Sequence, residues 1–445
     1  VLAVAFESYA VLTAMPAAAE ELGQLDLYAW AFTSFVVAML FATVLGGRLV
    51  DRTGPVRPLG VGLGVFVVGL VAAGFAPSMS WLLAMRVVQG FGAGFITVAL
   101  MVLVARVYDE ATRPRIMTYF SVCWVVPSFF GPPLSAWIAD EFGWPWVFWA
   151  SVPLLIVAVA LGIGPSLRLG RGGQEPDAGA PAVPIWAAAL ASAGVALLQL
   201  AGQRLRPEGD QPAAGGWPVT AALAVGALVL LALAVPRLMP AGFGRLARGL
   251  PAVVIERACH AGAFFASEAF LPLLLRELHG FTLVQAGVVL TVGSVGWAFG
   301  SWLQSRPWLH IRRDQIVQLG ALMAVLGALI LGIGAAWPGA HWAWIGAGNV
   351  VAGLGMGLAT ASTSLAVFTL SDPRELGRNT SSLQVAEALG NSLTTAAAGT
   401  AFALLHTAGN AQVTYGTLLA VCVLAAVGAL ASAGRIGAVP NESAR

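Results

Sequence analysis

The sequence predicts an all-α membrane protein with fourteen transmembrane helices, arranged as six, two and six. The first observation behind this prediction is composition: 58% of the 445 residues are hydrophobic and only 10% are charged, whereas soluble domains carry about 25% charged residues. The second is the division of the chain into long apolar segments with short polar loops. The third is the placement of its arginines. This composition excludes a soluble enzyme, a disordered scaffold and, at a net charge of +2, a nucleic-acid-binding protein.

Fourteen apolar segments approach the length of about 20 residues that a helix needs to cross a bilayer. The first is short, and we interpret it as the remainder of a trimmed helix. The polar stretches 168–184 and 204–216 are rich in Gly, Pro and charge, which is typical of loops. The predicted spans lie near residues 1–16, 28–49, 58–76, 80–105, 117–138, 146–165, 185–203, 217–235, 251–275, 282–304, 315–336, 343–370, 380–404 and 412–434.

The arginines predict the topology. All 23 basic residues are arginine, and with the N-terminus inside, 19 of them lie at cytoplasmic ends of the predicted spans. Only Arg204, Arg206 and Arg276 fall outside, and Arg86 lies within a span. Cytoplasmic loops of membrane proteins carry such an excess of basic residues. Losing or adding one helix would destroy this bias, so both termini are predicted to be cytoplasmic.

An internal repeat predicts two related halves. Residues 86–94 read RVVQGFGAG and residues 349–357 read NVVAGLGMG, an offset of 263. Glu7 and Glu268 lie in similar surroundings at an offset of 261. Parallel six-helix repeats characterise a class of secondary transporters with the substrate site between the halves. We therefore predict an N-terminal six-helix bundle, a linker with two inserted helices, a C-terminal six-helix bundle and a cytoplasmic tail, at 1–167, 168–250, 251–436 and 437–445.

Four motifs support this assignment. The loop after the second span reads GGRLVDRTGPVRP at 46–58, and the fourth span contains LLAMRVVQGFGAG at 82–94. The fifth span and the turn after it read VVPSFFGPPLSAWIADEFGWPWVFW at 125–149, and the first span contains AFESYAVLTAMPAAAEELG at 5–23. With these motifs, the chain resembles the major facilitator superfamily over essentially its whole length. The fourteen-helix layout resembles the branch of drug:proton antiporters, which implies a bacterial cytoplasmic membrane.

The resemblance implies conformational roles for the loop after the second span. Its pattern matches at Gly47, Asp51, Arg52 and Gly54, and in the family this loop acts as a latch of the outward-facing state. Glycine permits tight turns and close helix approach. The alternative is a simple turn that obeys the positive-inside rule. The corresponding loop of the second half has Gln304 in place of the acid, and we interpret that copy as degenerate.

The fourth and fifth spans carry two further patterns of the family. Arg86, Gln89 and Gly90 match a motif whose arginine is implicated in proton coupling. The alternative for Arg86 is that it snorkels to the nearby membrane surface. Gly131 and Pro132 match the antiporter motif of the fifth span, although Pro127 and two other small residues replace its glycines. We predict that Gly90, with a second glycine four residues on, forms a close-packing face.

Three acids inside the apolar spans are the candidate proton-coupling and substrate-binding residues, together with Arg86. They are Glu7, Glu268 and Glu387. Glu7 lies nine residues before Pro16, roughly 13 Å along a helix, which places it near mid-bilayer. A carboxylate removed from water without a countercharge binds a proton more readily, and it also attracts a cationic substrate. The alternative for each acid is a structural role, bonded to a neighbouring helix.

Two further groups are weaker candidates. Trp30, Trp124, Phe265 and Trp297 are candidates for the wall of an apolar cavity, although most aromatic residues in membrane helices face lipid or core. Glu256 and His260 lie four residues apart on the ninth span and are able to relay protons. We favour the simpler interpretation of a polar cluster at the cytoplasmic end of that helix.

The sequence thus predicts a secondary active transporter that exports lipophilic compounds, cations among them, in exchange for protons by alternating access. We find no ATP-binding loop and no catalytic signature, and expect neither an enzyme nor a protein with a cofactor or metal. The expected partners are the small substrate, protons and membrane lipids, and the expected state is monomeric. The alternatives are an exporter of a dedicated metabolite, siderophore or lipid, and a membrane scaffold or receptor without transport.

Overall fold

The computed structural model describes residues 2–108, 113–170, 184–204, 216–306, 308–337, 341–371, 376–406 and 410–440. The chain forms fourteen α-helices within these residues, joined in two places by a single turn of 3-10 helix. The helices are α1 (Leu2–Glu21), α2 (Tyr28–Thr53), α3 (Val56–Ala73), α4 (Met79–Val107), α5 (Arg113–Phe142), α6 (Pro145–Gly170), α7 (Ile185–Gln203), α8 (Gly216–Leu238), α9 (Leu250–His279), α10 (Leu283–Gln304), α11 (Arg313–Ala336), α12 (Trp342–Leu370), α13 (Leu376–Leu405) and α14 (Ala411–Ala433).

Each predicted span overlaps one of these helices, so fourteen helices are confirmed, and the crossing of the membrane by all fourteen stays a prediction. Twelve of them are long and apolar enough to cross a membrane. The other two are α5, which contains three prolines, and α6, whose described apolar part is Pro145–Ala160. The arrangement of six, two and six stays a prediction.

The chain divides into two compact units, Val1–Ala188 and Ala189–Arg445. In the first unit, α4 packs against α2 and α3, and α1 packs against α5 and α6. In the second unit, α9 packs against every helix from α10 to α14, and most of its side chains are buried. The boundary lies inside α7, the first of the two predicted inserted helices. The finer predicted division into two bundles, linker and tail stays a prediction, and residues 441–445 of that tail lie outside the described residues.

Closely packed glycines set the distance between neighbouring helices in both units. A Cβ placed on Gly94 would lie 2.6 Å from the carbonyl oxygen of Met39 in α2. A Cβ on Gly355, in the related stretch of α12, would lie 2.5 Å from the carbonyl oxygen of Gly320 in α11. Such approaches exclude any side chain, so the repeated glycine motif brings the backbones of neighbouring helices together in each unit.

Candidate functional site

Arg86 is the centre of a buried polar cluster in the first unit. Its Nη1 donates to the carboxylate of Glu7 in α1 and, at 2.5 Å, to Oε1 of Gln89 one turn further along α4. Its Nε donates to the carbonyl oxygen of Ala31 in α2 at 3.0 Å. The guanidinium also lies over the ring of Phe35, 4.3 Å from the ring centre. Arg86 therefore has hydrogen-bond partners on three helices, α1, α2 and α4.

The cluster is sealed from solvent. Arg86, Glu7 and Gln89 are 3%, 1% and 0% exposed, and Gln89 donates from Nε2 to the carbonyl oxygen of Gly69 in α3 at 3.1 Å. The alternative that Arg86 snorkels to the membrane surface is therefore wrong. The expectation that Glu7 lacks a fixed countercharge is also wrong, because Arg86 supplies one. A buried ion pair that is broken on one side is costly, which makes this pair a joint between α1 and α4.

Glu268 occupies the related position in the second unit with a different partner. The side chain that interacts with its carboxyl is the neutral amide of Asn349 in α12. Asn349 is the residue that the offset of 263 pairs with Arg86, and Nδ2 of Asn349 donates to the carbonyl oxygen of Val289 in α10 at 3.3 Å. Glu268 is 3% exposed, and its Oε1 has no hydrogen-bond partner among the described residues. The related positions of the repeat therefore hold an ion pair in the first unit and an acid beside a neutral amide in the second.

An aromatic cluster lies one helical turn from Glu268. The ring centres of Phe264 and Phe265 are 5.4 Å apart, and that of Trp297 in α10 lies 5.4 Å from Phe264 and 6.2 Å from Phe265. Phe264 packs with Met356 in a buried core, and Phe265 and Trp297 cover it while half-buried themselves. Two of the four predicted cavity residues are thus brought together beside a buried carboxyl.

The other two predicted cavity residues belong to the first unit. Trp30 is half-buried in α2, and Trp124 is 38% exposed in α5. Neither lies in the unit that contains Glu268 and its aromatic cluster. Their assignment to a cavity stays a prediction.

Glu387 has a fixed cation. Nη1 of Arg257 in α9 donates to its Oε2 at 3.1 Å. Arg257 also donates from Nε to Oγ1 of Thr363 at 3.0 Å, and from Nη2 to Oγ of Ser364 at 2.8 Å and to the carbonyl oxygen of Thr360. Arg257 is 3% exposed and ties α9 to α12 and α13. Sequence reasoning singled out Glu387 but missed Arg257, which it placed among the topological arginines.

The loop after α2 bears out part of the glycine reasoning. Gly54 ends α2 with a φ of +76°, a conformation that favours glycine. A Cβ on Gly46 would lie 2.9 Å from the ring of Phe95, whereas Gly47 has open space around it, so close approach explains the first glycine and not the second. Arg52 is exposed in the last turn of α2. The side chain of Asp51 lies outside the described residues, and its latch role stays a prediction.

The corresponding loop of the second half has a bonded network of its own. Oε1 of Gln304 accepts from Nη1 of Arg313 at 2.7 Å. Asp314 accepts from Arg312 at 2.7 and 3.0 Å, and its Oδ1 accepts from the backbone N–H of Val439 at 3.0 Å. The substitution of the acid by Gln304 therefore leaves a closed set of contacts that also holds the segment after α14.

The close-packing role predicted for Gly90 is confirmed, since a Cβ there would lie 2.9 Å from that of Ala38 in α2. Gly131 in α5 is less tightly packed, with the Cβ of Tyr9 in α1 at 3.3 Å from the position of an added Cβ. Pro132 lies in the same helix, and its carbonyl oxygen accepts from the hydroxyl of Ser135 at 3.1 Å. These contacts explain packing, and the antiporter role of Gly131 and Pro132 stays a prediction.

Asn349 is a second residue of the candidate site that sequence reasoning missed, after Arg257. The aligned repeat RVVQGFGAG and NVVAGLGMG contains the signal, because it sets Asn349 against Arg86 just as it sets Glu268 against Glu7. Two pairs of acid and partner at matching offsets indicate that each acid meets the helix that carries its partner. Only the fold shows that Asn349 is the neighbour of Glu268.

Comparison with known proteins identifies the family. The family profile of the Major Facilitator Superfamily matches residues 1–395. Solved structures share the fold: a peptide transporter POT in complex with sulfate superposes with a TM-score of 0.70 at 15% identity, covering 98% of this chain and 93% of that one. An auto-inhibited POT family peptide transporter gives a TM-score of 0.67 at 18% identity, covering 99% and 96%.

Curated relatives match over about a third of the chain. An uncharacterised transporter of the same superfamily from Mycobacterium tuberculosis is 34% identical over 151 residues, which are 34% of this chain and 22% of that protein. Multidrug resistance protein 3 of Bacillus subtilis is 30% identical, covering 35% and 30%. Multidrug export protein EmrB of Haemophilus influenzae is 34% identical, covering 33% and 29%. The matched segments span less than a third of each of these relatives.

Proposed function

Because the chain belongs to the major facilitator superfamily, we propose that it is a proton-driven exporter of lipophilic compounds, cations among them, in the cytoplasmic membrane of a bacterium. It works by alternating access as an antiporter. The observation that carries the proposal is Glu268, a buried carboxyl whose neighbour is an amide. It lies one helical turn from Phe264 and Phe265, whose rings pack with that of Trp297. The names of two multidrug relatives agree with this substrate class.

Glu268 has the chemistry of a shared site for proton and cation. An apolar environment without a countercharge favours the protonated acid, and loss of that proton creates a negative charge that attracts a cation. The rings of Phe264, Phe265 and Trp297 offer apolar surface and faces that bind cations. Proton and lipophilic cation therefore compete for one carboxyl, which is the coupling that an antiporter needs.

Glu7 and Glu387 have a second role in this proposal. Each carries a bound arginine, Arg86 and Arg257 respectively. Movement of the helices that carry the partners would open these ion pairs. We assign these two acids to steps that accompany conformational change, and Glu268 to proton binding in either conformation.

The test is transport by the purified protein in proteoliposomes. We expect a fluorescent lipophilic cation to accumulate inside vesicles with an acidic lumen, and accumulation to stop when an ionophore dissipates the pH gradient. A panel that includes lipids and short peptides separates this proposal from the export of a dedicated metabolite or lipid. Absence of transport for the whole panel would favour a scaffold or receptor, and uptake independent of the gradient would remove proton coupling.

The scaffold alternative has a physical argument against it. Burial of an acid without a hydrogen-bonded partner costs free energy, and Glu268 bears that cost with Oε1 unpartnered among the described residues. Charged and ionisable groups inside a membrane are rare and mark substrate or proton pathways. A protein that only scaffolds others gains nothing from Glu268, whereas a glutamine there would bond to Asn349 equally well.

A further inference from the structure

Besides Glu268, α9 contains a second buried acid. This acid, Glu256, lies near the start of the helix and is paired with His260. Nδ1 of His260 lies 2.9 Å from Oε1 of Glu256. The side chains are 1% and 0% exposed, deeper than the polar cluster at a helix end that the sequence predicts. Nε2 of His260 and Oε2 of Glu256 have no hydrogen-bond partner among the described residues. The pair therefore presents two unused proton-binding atoms inside the protein.

A structural role does not account for these two atoms. A buried polar atom without a partner destabilises the folded state, and both ends of this pair bear that cost. A neutral imidazole donates from one ring nitrogen and accepts at the other, so a buried Glu256–His260 pair with an unpartnered atom at each end is able to take up a proton and pass it on. One face of α9 connects this pair with Glu268.

The path runs along one face of α9. Glu256, His260, Ala263 and Ser267 follow one another at intervals of four, three and four residues, which places them on the same side of the helix. A small cavity, about the size of one water molecule, lies further along this face, beside Ala263 and Ser267. It is lined by Ala263, Phe264, Ser267, Ala324, Ala328 and Ala352.

Two residues that line this cavity lie close in the sequence to the Glu268 site. Ala352 lies one turn along α12 from Asn349, the amide neighbour of Glu268. Ser267, whose hydroxyl donates to the carbonyl oxygen of Phe264 at 2.7 Å, immediately precedes Glu268 in α9. From His260 to Glu268 the helix rises about 12 Å. The cavity with its serine hydroxyl lies within that interval.

We propose that Glu256 and His260 form a proton-transfer site that exchanges protons with Glu268 through this cavity. The proposal rests on the proposed function above. A proton released by the Glu268 carboxyl is taken up at Nε2 of His260, while Nδ1–H stays donated to Glu256. The carboxylate of Glu256 stabilises the resulting imidazolium, and the proton then leaves the pair toward the start of α9, which the arginines place in the cytoplasm. No bond other than the O–H and N–H bonds of this proton forms or breaks.

Two of the other charged groups, one on α9 and one on α11, have partners of their own. Arg257 is bound to Glu387, and Arg313 to Gln304. The sequences of α10 and α12 contain no titratable side chain. The remaining titratable side chains on α9, α11, α13, α14 and the 3-10 turn at Phe243–Arg245 are Arg245, Cys259, Arg276, Glu277, His279, Asp314, Arg378, Tyr415 and Cys422.

The experiment compares two modes of transport in proteoliposomes. Uptake driven by a pH gradient requires proton release at every cycle, whereas exchange of labelled for unlabelled lipophilic cation at equal pH requires only a folded protein that changes conformation. We expect His260→Gln to lower gradient-driven uptake about tenfold or more and to leave exchange near the wild-type rate. Glu256→Gln keeps a hydrogen bond to Nδ1–H and is expected to give a smaller loss with a shifted pH profile. The control variant is His406→Gln, at a histidine of the same unit whose ring stacks on that of Phe402.

The outcomes separate this proposal from the proposed function. Wild-type uptake in the His260→Gln variant, with uptake lost in Glu268→Gln, would overturn the proton-transfer site and leave the exporter standing. If the wild-type protein shows no gradient-driven uptake, the exporter itself falls and the proton-transfer site with it. Should His260→Gln also lose exchange, the pH profile of Glu256→Gln decides, and a profile identical to wild type would count against the proposal.

Discussion

The guanidinium of Arg86 is bound to the carboxylate of Glu7, and both side chains are buried from solvent. The residues lie 79 positions apart in the sequence and join α1 to α4. In the second unit the same two positions of the repeat hold Glu268 and Asn349, whose amide carries no charge. The repeat therefore places a countercharge beside Glu7 and only a neutral amide beside Glu268.

Loss of the carboxylate at Glu7 should destabilise the protein. Glu7→Gln leaves the charge of Arg86 buried without compensation, and breaking a buried pair from one side costs about 3–5 kcal/mol. We expect a clear fall in the Tm of the purified protein in detergent. The double variant Glu7→Gln, Arg86→Asn removes both charges and should recover much of the loss, and an equal or larger fall would show that the pair is not what holds these helices.

Glycine packing between α3 and α4 gives a prediction with a matched control. A Cβ on Gly62 would lie 2.9 Å from the carbonyl oxygen of Gly92, whereas Gly64 in the same helix has nothing within 4 Å. Overpacking a tight contact costs about 1–3 kcal/mol or more. Gly62→Leu should therefore lower the Tm or the yield of folded protein, and Gly64→Leu should leave both unchanged. Equal effects would argue that the two helices approach less closely.

The contact between α11 and the segment after α14 predicts unequal roles for two charged residues. Oδ1 of Asp314 is bonded to the buried backbone N–H of Val439, so Asp314→Ala should cost about 1–3 kcal/mol. Arg312 binds the same carboxylate, and this contact with Asp314 raises the pKa of the Arg312 guanidinium. The side chain of Arg312, however, is 54% exposed. Arg312→Ala should have a much smaller effect on stability, because solvent screens an exposed ion pair. Thermal unfolding of the two variants measures the difference, and a larger effect at Arg312 would contradict it.

Substrate binding should depend on the aromatic cluster beside Glu268. Trp297→Ala removes one of its three rings, and a contact between a cation and an aromatic face is worth about 1–2 kcal/mol when shielded from water. We expect the concentration of lipophilic cation at half-maximal transport to rise about tenfold. Trp302 in the same helix is exposed and lies under Arg306, so Trp302→Ala is the control. If both variants transport alike, the cluster is not the binding surface.

Much of the fold could be predicted from the sequence because a bilayer imposes length and apolarity on every helix. The ends of α7 were predicted to the residue, and the close-packing glycines were visible as a motif. The turn at Gly54 could be predicted too, because glycine favours the positive φ with which α2 ends. The open space around Gly47 could not be predicted, since it depends on which residues of other helices face that side of α2.

The candidate site was predictable only as a set of isolated charges. Glu7, Glu268 and Glu387 stand out because acids are rare in apolar spans, yet their partners come from other helices. Arg257 binds Glu387 across 130 residues, and no local pattern predicts that contact. The repeat alone relates Asn349 to Arg86, and the substitution of a cation by an amide is what distinguishes Glu268 from Glu7.

The measurement that tests the account most directly is gradient-driven transport by the Glu268→Gln variant in proteoliposomes, run beside exchange at equal pH. The glutamine keeps the shape of the side chain and its bond to Asn349 but cannot carry a proton. The account predicts that uptake of a lipophilic cation driven by the pH gradient is lost while exchange persists. Uptake at the wild-type rate with an intact dependence on the gradient would contradict it.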